Sequence, residues 1–220
     1  MKINKYIDHT ILKPESTEEE VLQICKEAIE HDFASVCVNS CHTKLVANAL
    51  KGSSVKTGIA IGFPLGATST EVKAFEANYA IENGASEIDM VMNVGALKSG
   101  DLERVERDIK AVVDVANKTV VVKVILETCL LTDEEIIQAC KISKNAGADF
   151  VKTSTGFNSA GATVKHVALM RKTVGNEMGV KASGGIRNYK QAMEMIEAGA
   201  TRLGTSSGVK IVTGEQASEE

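Results

Sequence analysis

Two lysines stand inside apolar stretches that are typical of β-strands. Lys152 lies in Phe-Val-Lys-Thr-Ser-Thr-Gly (150–156), and Lys181 lies in Gly-Val-Lys-Ala-Ser-Gly-Gly (179–185). Lysine is rarely buried without a partner, and desolvation or a nearby cation lowers its pKa from about 10.4 toward neutrality. An uncharged amine can attack a carbonyl and form a Schiff base. The matching phrases therefore predict Schiff-base chemistry, although either lysine alone would favour a salt bridge in a strand or a solvated edge position.

Asp89 is a carboxylate within the otherwise apolar phrase Ile-Asp-Met-Val-Met (88–92). Such an acid is either paired with a lysine or used for proton transfer, and across a narrow barrel both roles are compatible. Beside two ammonium groups Asp89 would stay ionised, while the lysines compete for the remaining charge. The alternative is a buried ion pair that only fixes packing. Because buried pairs are costly and weak as stabilisers, three such groups in one core favour a reaction.

The elements that must position these residues follow a repeated pattern. A helix ends at a small-residue turn and leads into an apolar strand, as in Asn-Gly-Ala (83–85) and twice in Ala-Gly-Ala (146–148 and 198–200). Glycine there supplies the left-handed helix cap, and repeated joints of this kind indicate a parallel sheet with crossover helices. We predict eight strands, at 6–10, 35–38, 57–63, 87–93, 119–127, 150–154, 180–183 and 202–206.

Seven amphipathic helices are predicted between the strands, at 18–30, 43–50, 70–83, 102–117, 132–145, 164–174 and 189–197. Eight strands with intervening helices favour an α/β fold of the closed (β/α)8 TIM-barrel type over an open doubly wound sheet. No Gly-x-Gly-x-x-Gly follows the first strand, which weakens the dinucleotide-binding alternative. We expect one domain over residues 1–220, with a mobile polar tail at about 214–220.

Composition excludes several classes of function. The chain is 4% aromatic without Trp, and its net charge of −4 comes with dispersed lysines and arginines, which argues against a nucleic-acid partner. No stretch has the length of a signal peptide or a membrane span. The five cysteines lack the spacing of a zinc site, and we read them as reduced thiols. We expect a cytoplasmic protein with neither a membrane partner nor a bound metal.

In a TIM barrel the active site gathers at the carboxyl ends of the strands. Strand five ends in Lys123 and Glu127, to which no role is assigned, and among the four histidines only His9 falls near this rim. Glycines and hydroxyl residues follow strands six to eight, where barrels often bind phosphate through backbone N–H groups. The residues predicted to do so are Thr155, Gly156, Gly184, Gly185, Gly204, Ser206 and Ser207.

Together these phrases resemble the deoxyribose-phosphate aldolases, a family of class I aldolases with the (β/α)8 fold. The matching signatures are the two lysine phrases, Tyr-Ile-Asp-His-Thr (6–10), Leu-Lys-Pro (12–14), Ile-Gly-Phe-Pro-Leu-Gly (61–66) and Glu-Ile-Asp-Met-Val (87–91), within a span from 6 to about 208. The resemblance implies reversible cleavage of 2-deoxy-D-ribose 5-phosphate to D-glyceraldehyde 3-phosphate and acetaldehyde in deoxyribonucleoside catabolism. It also implies that no cofactor is needed.

The resemblance also implies roles for individual residues. Lys152 would form the imine, Lys181 would lower its pKa and relay protons, and Asp89 would be the partner in proton transfer. Asp8 and Thr10 would lie near the substrate hydroxyls, and Cys37 would line the pocket. The glycine turns and Ser206-Ser207 would bind the phosphate. Barrels of this kind often pair through helical faces, so a homodimer is expected.

The sequence departs from the pattern of some family members at two places. Some members carry a second lysine where this chain has Phe157, so phosphate contact there must rely on backbone groups. Some members end in a tyrosine that residues 215–220 lack, so bound water or Lys181 must take over the proton transfer assigned to that tyrosine.

Two rival functions remain. One is a transaldolase-like or fructose-6-phosphate-type aldolase, which shares one strand lysine. The other is a non-catalytic phosphosugar-binding barrel, which has no use for Lys152.

Overall fold

The chain forms a closed barrel of eight parallel strands that pair in the order of the sequence. A computed structural model describes residues 3–214. The strands are β1 (Ile7–Thr10), β2 (Ser35–Asn39), β3 (Lys56–Ile61), β4 (Glu87–Val91), β5 (Val121–Ile125), β6 (Phe150–Lys152), β7 (Gly179–Ser183) and β8 (Arg202–Thr205). The (β/α)8 fold predicted from the sequence is confirmed, and all eight predicted strands are present. Several strands are shorter than predicted because the last residues of the predicted range belong to the loops that follow.

Helices cover the outside of the barrel. They are α1 (Glu18–Glu30), α2 (Thr43–Ala49), α3 (Thr70–Glu82), α4 (Val94–Lys98), α5 (Leu102–Ala116), α6 (Asp133–Asn145), α7 (Val164–Val174), α8 (Tyr189–Glu197) and α9 (Gly208–Thr213). The seven predicted helices are all present, and Thr17 and Thr132 begin α1 and α6 with capping boxes. The sequence analysis missed α4 and α9, since helices of one or two turns show too little periodicity. It also missed the 3-10 segments Ile3–Tyr6, Ser40–His42 and Thr128–Leu130.

Side chains on each strand alternate between an apolar layer under the helices and the interior of the barrel. In β4, Ile88 and Met90 belong to the apolar core, whereas Asp89 is buried among charged side chains. Lys123 of β5 lies in register beside Asp89, and Lys152 of β6 lies in register beside Lys181 of β7. Parallel pairing therefore brings the predicted catalytic residues to one end of the barrel.

The last expectations from the sequence concern the polar tail and membrane-spanning segments. The predicted polar tail, apart from Gly214, lies outside the described residues, as do the positions where a terminal tyrosine was sought. Within residues 3–214, every helix is too short or too polar to cross a lipid bilayer.

Candidate active site

Seven charged side chains form one buried network inside the barrel. Its members are Asp8, Glu87, Asp89, Lys123, Lys152, Lys181 and Arg202. Asp89 lies at the centre, where its Oδ2 accepts hydrogen bonds from Lys152 Nζ at 2.8 Å and from Lys181 Nζ at 2.7 Å. Its Oδ1 accepts from Lys123 Nζ at 2.9 Å. One carboxylate thus contacts three ammonium groups.

The other two carboxylates are held by Arg202 and by lysines. Arg202 Nε donates to Asp8 Oδ1 at 2.7 Å, and Arg202 Nη2 donates to Glu87 Oε2 at 2.7 Å. Lys123 Nζ lies 2.5 Å from Glu87 Oε2. Lys181 Nζ makes an ion contact of 2.5 Å with Asp8 Oδ2 without hydrogen-bond geometry. Each carboxylate therefore faces at least two cationic groups.

The charges of this network do not balance when every group is ionised. Three carboxylates neutralise three cations, and the network holds four, of which Lys152 contacts only Asp89. A surplus charge is costly in a buried site, because the low dielectric of the interior strengthens repulsion between cations. Lys152 is therefore the cation that the network releases most readily as a neutral amine.

The two strand-end lysines respond oppositely to this environment. Burial lowers the pKa of Lys152 below its ordinary value; Asp89 opposes this shift, and the charge of Lys181 adds to it. Burial alone would also lower the pKa of Lys181, but the carboxylates of Asp8 and Asp89 outweigh it and leave that pKa raised. The pair thus separates into a lysine that loses its proton easily and one that keeps it.

The environment fixes the protonation states of the two groups closest to the lysines, Asp89 and Cys37. Burial alone would raise the pKa of Asp89, but Lys123, Lys152 and Lys181 together hold it well below its usual range. Burial and the charge of Asp89 raise the pKa of the Cys37 thiol, whose Sγ lies 3.9 Å from Asp89 Oδ2. Cys37 is therefore a neutral thiol beside an ionised carboxylate.

Lys152 reaches a cavity of about 600 Å³ at the carboxyl ends of the strands, whereas Lys181 is fully enclosed behind it. Eight of the residues predicted to bind substrate line this cavity: Thr10, Thr155, Gly156, Gly184, Gly185, Gly204, Ser206 and Ser207. Asp8 and Cys37 do not line it. They are buried in or beside the charged network, so the structure brings them close to the lysines instead.

Glycines make two close approaches around this site. A Cβ on Gly204 would lie 2.9 Å from Lys181 Cε, so glycine leaves room for the lysine side chain. Gly184 has a φ of +84°, and its carbonyl oxygen would lie 2.2 Å from a Cβ on Gly161. The turn after β7 is therefore packed directly against the loop that follows β6.

Four further residues of the site carry no role in the prediction from the sequence: Lys123, Glu127 and two cationic residues that line the cavity. Lys123 gives the same signal as the two predicted lysines, a charge within the apolar strand Val121–Ile125. Glu127, at a φ of +57°, accepts hydrogen bonds from Thr155 N at 3.1 Å and from Thr155 Oγ1, and so orients the loop after β6. Lys13 and Arg187 line the cavity. Their side chains make no ion pair with another residue in the range 3–214.

Comparisons with known proteins show which proteins the chain is similar to. A model of the DeoC/LacD family of aldolases matches residues 2–214. The chain is 64% identical to a deoxyribose-phosphate aldolase of Streptococcus sanguinis, over 99% of both proteins. It is 61% identical to one of Thermococcus gammatolerans, over 100% of this chain and 99% of that one. The deoxyribose phosphate aldolase of Aeropyrum pernix, described as a tetramer, superposes with a TM-score of 0.90 at 38% identity, over 96% of this chain and 89% of that one.

Proposed function

We propose, from the premise that the chain belongs to the DeoC/LacD family of aldolases, that it reversibly cleaves 2-deoxy-D-ribose 5-phosphate to D-glyceraldehyde 3-phosphate and acetaldehyde. One observation carries the proposal: Lys152 lines the cavity while its Nζ shares Asp89 Oδ2 with Lys181. A Schiff-base enzyme needs a lysine that loses its proton easily and that an aldehyde can reach. Lys152 meets both requirements.

The reaction follows from the chemistry of an imine. The neutral amine of Lys152 adds to C1 of the open-chain sugar, and loss of water gives a protonated imine. Removal of the proton from the C3 hydroxyl breaks the C2–C3 bond, so that C3 to C5 leave as D-glyceraldehyde 3-phosphate. The electron pair of that bond moves into the imine and leaves an enamine on Lys152. Protonation of the enamine carbon and hydrolysis release acetaldehyde and restore the amine. The imine accepts the electrons, so these steps use no cofactor.

Lys181 and Asp89 support this cycle from behind the cavity. Asp8 and Asp89 raise the pKa of Lys181, so this lysine stays charged and disfavours a second proton on Lys152. Asp89 Oδ2 contacts both ammonium groups and links them by hydrogen bonds. We assign the proton relay to these three residues, and we assign Asp8 to holding Lys181 charged rather than to a substrate hydroxyl.

The phosphate end of the substrate would lie against the turns after β7 and β8. Gly184 and Gly185, both at positive φ, line the same cavity as Ser206 and Ser207, so we assign their backbone N–H groups and the serine hydroxyls as donors to the phosphate. The guanidinium of Arg187 adds a positive charge there. We assign Gly156 to the same anion and Thr10 to a sugar hydroxyl. Both donors of Thr155 are bound to Glu127, so we assign Thr155 to lining this end of the cavity rather than to the phosphate.

A homodimer and a cytoplasmic location are also proposed. The exposed side chains of Val72, Phe75 and Tyr79 share one face of α3, and the exposed Leu65 lies in the loop before it, which supports pairing through helices. All five cysteines within residues 3–214 are unpaired, which supports a reducing compartment.

Borohydride trapping tests the proposed function. Incubation with acetaldehyde and sodium borohydride should attach an ethyl group to Lys152, located by peptide mass spectrometry. Lys152→Met should give no adduct and no cleavage, whereas Lys73→Met removes a buried lysine paired with Asp108 and should leave the adduct at Lys152. An adduct on another lysine, or none, would overturn the proposal. A donor assay separates the rival aldolases, because those would use dihydroxyacetone or hydroxyacetone instead of acetaldehyde.

A further inference from the structure

A second cavity, of about 620 Å³, adjoins the turn that follows β8. Ser206 and Ser207 line both this cavity and the active-site cavity. His9 of β1 lines the second cavity and is 1% exposed. A buried histidine therefore lies behind the turn to which the proposed function assigns phosphate binding, and the catalytic network does not use it.

The orientation of the His9 ring is fixed by its neighbours. His9 Nε2 lies 2.7 Å from Glu27 Oε2 of α1, and the ring packs edge-on against Phe33 with centroids 5.2 Å apart. A carboxylate accepts hydrogen bonds, so in the neutral ring Nε2 carries the proton and Nδ1 is an acceptor. Within residues 3–214, Nδ1 is buried and has no hydrogen-bond partner.

The backbone after β8 rests directly on this ring. A Cβ on Gly208 would lie 2.8 Å from His9 Nδ1 and 2.9 Å from Phe33 Cε2, so only glycine fits. Thr205 is the register partner of His9, and its Oγ1 accepts a hydrogen bond from Ser207 N at 2.9 Å. The strand pairing of Thr205 with β1 and the close approach of Gly208 to the imidazole thus fix both ends of residues 205–208.

We propose that His9 is a positioning residue. Braced by Glu27, its ring sets the position of Ser206 and Ser207 and thereby the affinity of the active site for the phosphate end of the substrate. The inference rests on the proposed function, because it concerns the same turn. A histidine that served packing alone would change stability without distinguishing phosphorylated from unphosphorylated substrates.

The test compares 2-deoxy-D-ribose 5-phosphate with 2-deoxy-D-ribose. His9→Ala should raise KM for the phosphorylated sugar by about tenfold, the scale of one lost contact to a charged group, while kcat and the kinetics on the unphosphorylated sugar stay unchanged. His9→Phe keeps the ring under Gly208 and should restore most of the affinity. His31→Gln is the matched control, since His31 stacks on Phe33 from the same cavity and does not approach Gly208.

Two further measurements keep the test decisive if His9→Ala does not fold. Gly208→Ala pushes the turn away from an intact His9 and should give the same selective loss. Calorimetric binding of inorganic phosphate to wild type and to each variant that folds measures the site without catalysis. Equal effects on both sugars, or unchanged phosphate affinity, would overturn the role of His9. Absence of cleavage by the wild type would instead overturn the proposed function, while the phosphate titration still decides on His9.

Discussion

Lys152 and Lys181 occupy paired positions on neighbouring strands, and both ammonium groups donate to the same oxygen of Asp89. One acceptor oxygen cannot fully compensate two buried cations, so the lysine with fewer anionic partners loses its proton first. Lys181 has Asp8 as a second anionic partner, whereas Lys152 has Asp89 alone. This asymmetry supports the proposed roles of Lys152 as the nucleophile and of Lys181 as the lysine that is charged in the resting site and exchanges its proton through Asp89.

Two substitutions of Lys181 should distinguish the effect of its positive charge from its role in proton transfer. Lys181→Met removes both and should lower kcat by about 10²- to 10⁴-fold, the usual contribution of a positioned acid–base group. It should also move the acidic limb of the kcat/KM profile to higher pH, because Lys152 then keeps its proton longer. Lys181→Arg retains a cation that does not give up its proton. Its acidic limb of kcat/KM should therefore lie at the wild-type pH, while its kcat should be low.

Steady-state rates between pH 5 and pH 9 provide the measurement. Thermal unfolding of each variant must first show a folded protein, since both changes alter a buried network. Near-normal turnover by Lys181→Met would refute the assigned role.

The stability of the fold should depend on the ionised state of Asp89. Its pKa and that of Asp8 lie below the ordinary value when folded, so their stabilisation is present above about pH 4 and is lost as the pH falls through the folded values. Asp89→Asn should cost about 3 to 5 kcal/mol at neutral pH because it leaves buried cations uncompensated. The free energy of unfolding of this variant should also fall less steeply as the pH is lowered.

Urea unfolding at a series of pH values measures both effects. Asp114→Asn is the control, because Asp114 pairs with Lys110 at 2.8 Å in an exposed pair on α5. An exposed pair of this kind contributes at most about 1 kcal/mol. A similar loss in the two variants would contradict a special role for the buried carboxylate.

The sequence identified most charged residues of the buried network but not which of them contact one another. Lys152, Lys181 and Asp89 could be found because each interrupts an apolar strand, and Lys123 gives the same signal. Their pairing depends on barrel closure, which brings Asp8 and Arg202 together across 194 positions of the chain. No local pattern encodes such a contact.

The same limit explains the placement of Asp8 and the oversight of Arg187. The family resemblance implied that Asp8 contacts a substrate hydroxyl, but Asp8 is fully buried between Lys181 and Arg202. Arg187 follows the predicted Gly-Gly turn, yet only the folded barrel brings it into the same cavity as Ser206 and Ser207. Loop residues acquire their neighbours from several strands at once, so sequence position alone did not identify them.

The exposed apolar face of α3 predicts how two copies associate. Phe75 is 73% exposed and lies between Val72 and Tyr79 on this face. Phe75→Glu would place a charge in a desolvated interface and should shift the protein to monomers in sedimentation velocity at micromolar concentration. Tyr189→Glu, at an exposed aromatic position on α8, should leave the assembly unchanged. An unchanged sedimentation coefficient for Phe75→Glu would exclude this face.

Charge balance in the network predicts opposite pH shifts for two substitutions that do not touch the substrate. Lys123→Met removes a cation, so the remaining acids should hold the proton on Lys152 more strongly and move the acidic limb of kcat/KM to higher pH. Glu87→Gln removes a carboxylate that faces Lys123 and Arg202, and should move the same limb to lower pH.

The opposite signs distinguish electrostatics from general damage to the barrel. Disrupted packing would lower kcat/KM for both variants at every pH, without moving the limb in opposite directions. The double variant Lys123→Met/Glu87→Gln restores the original charge count and should return the limb toward its wild-type position. Shifts of the same sign in both single variants would show that charge count does not set the protonation of Lys152.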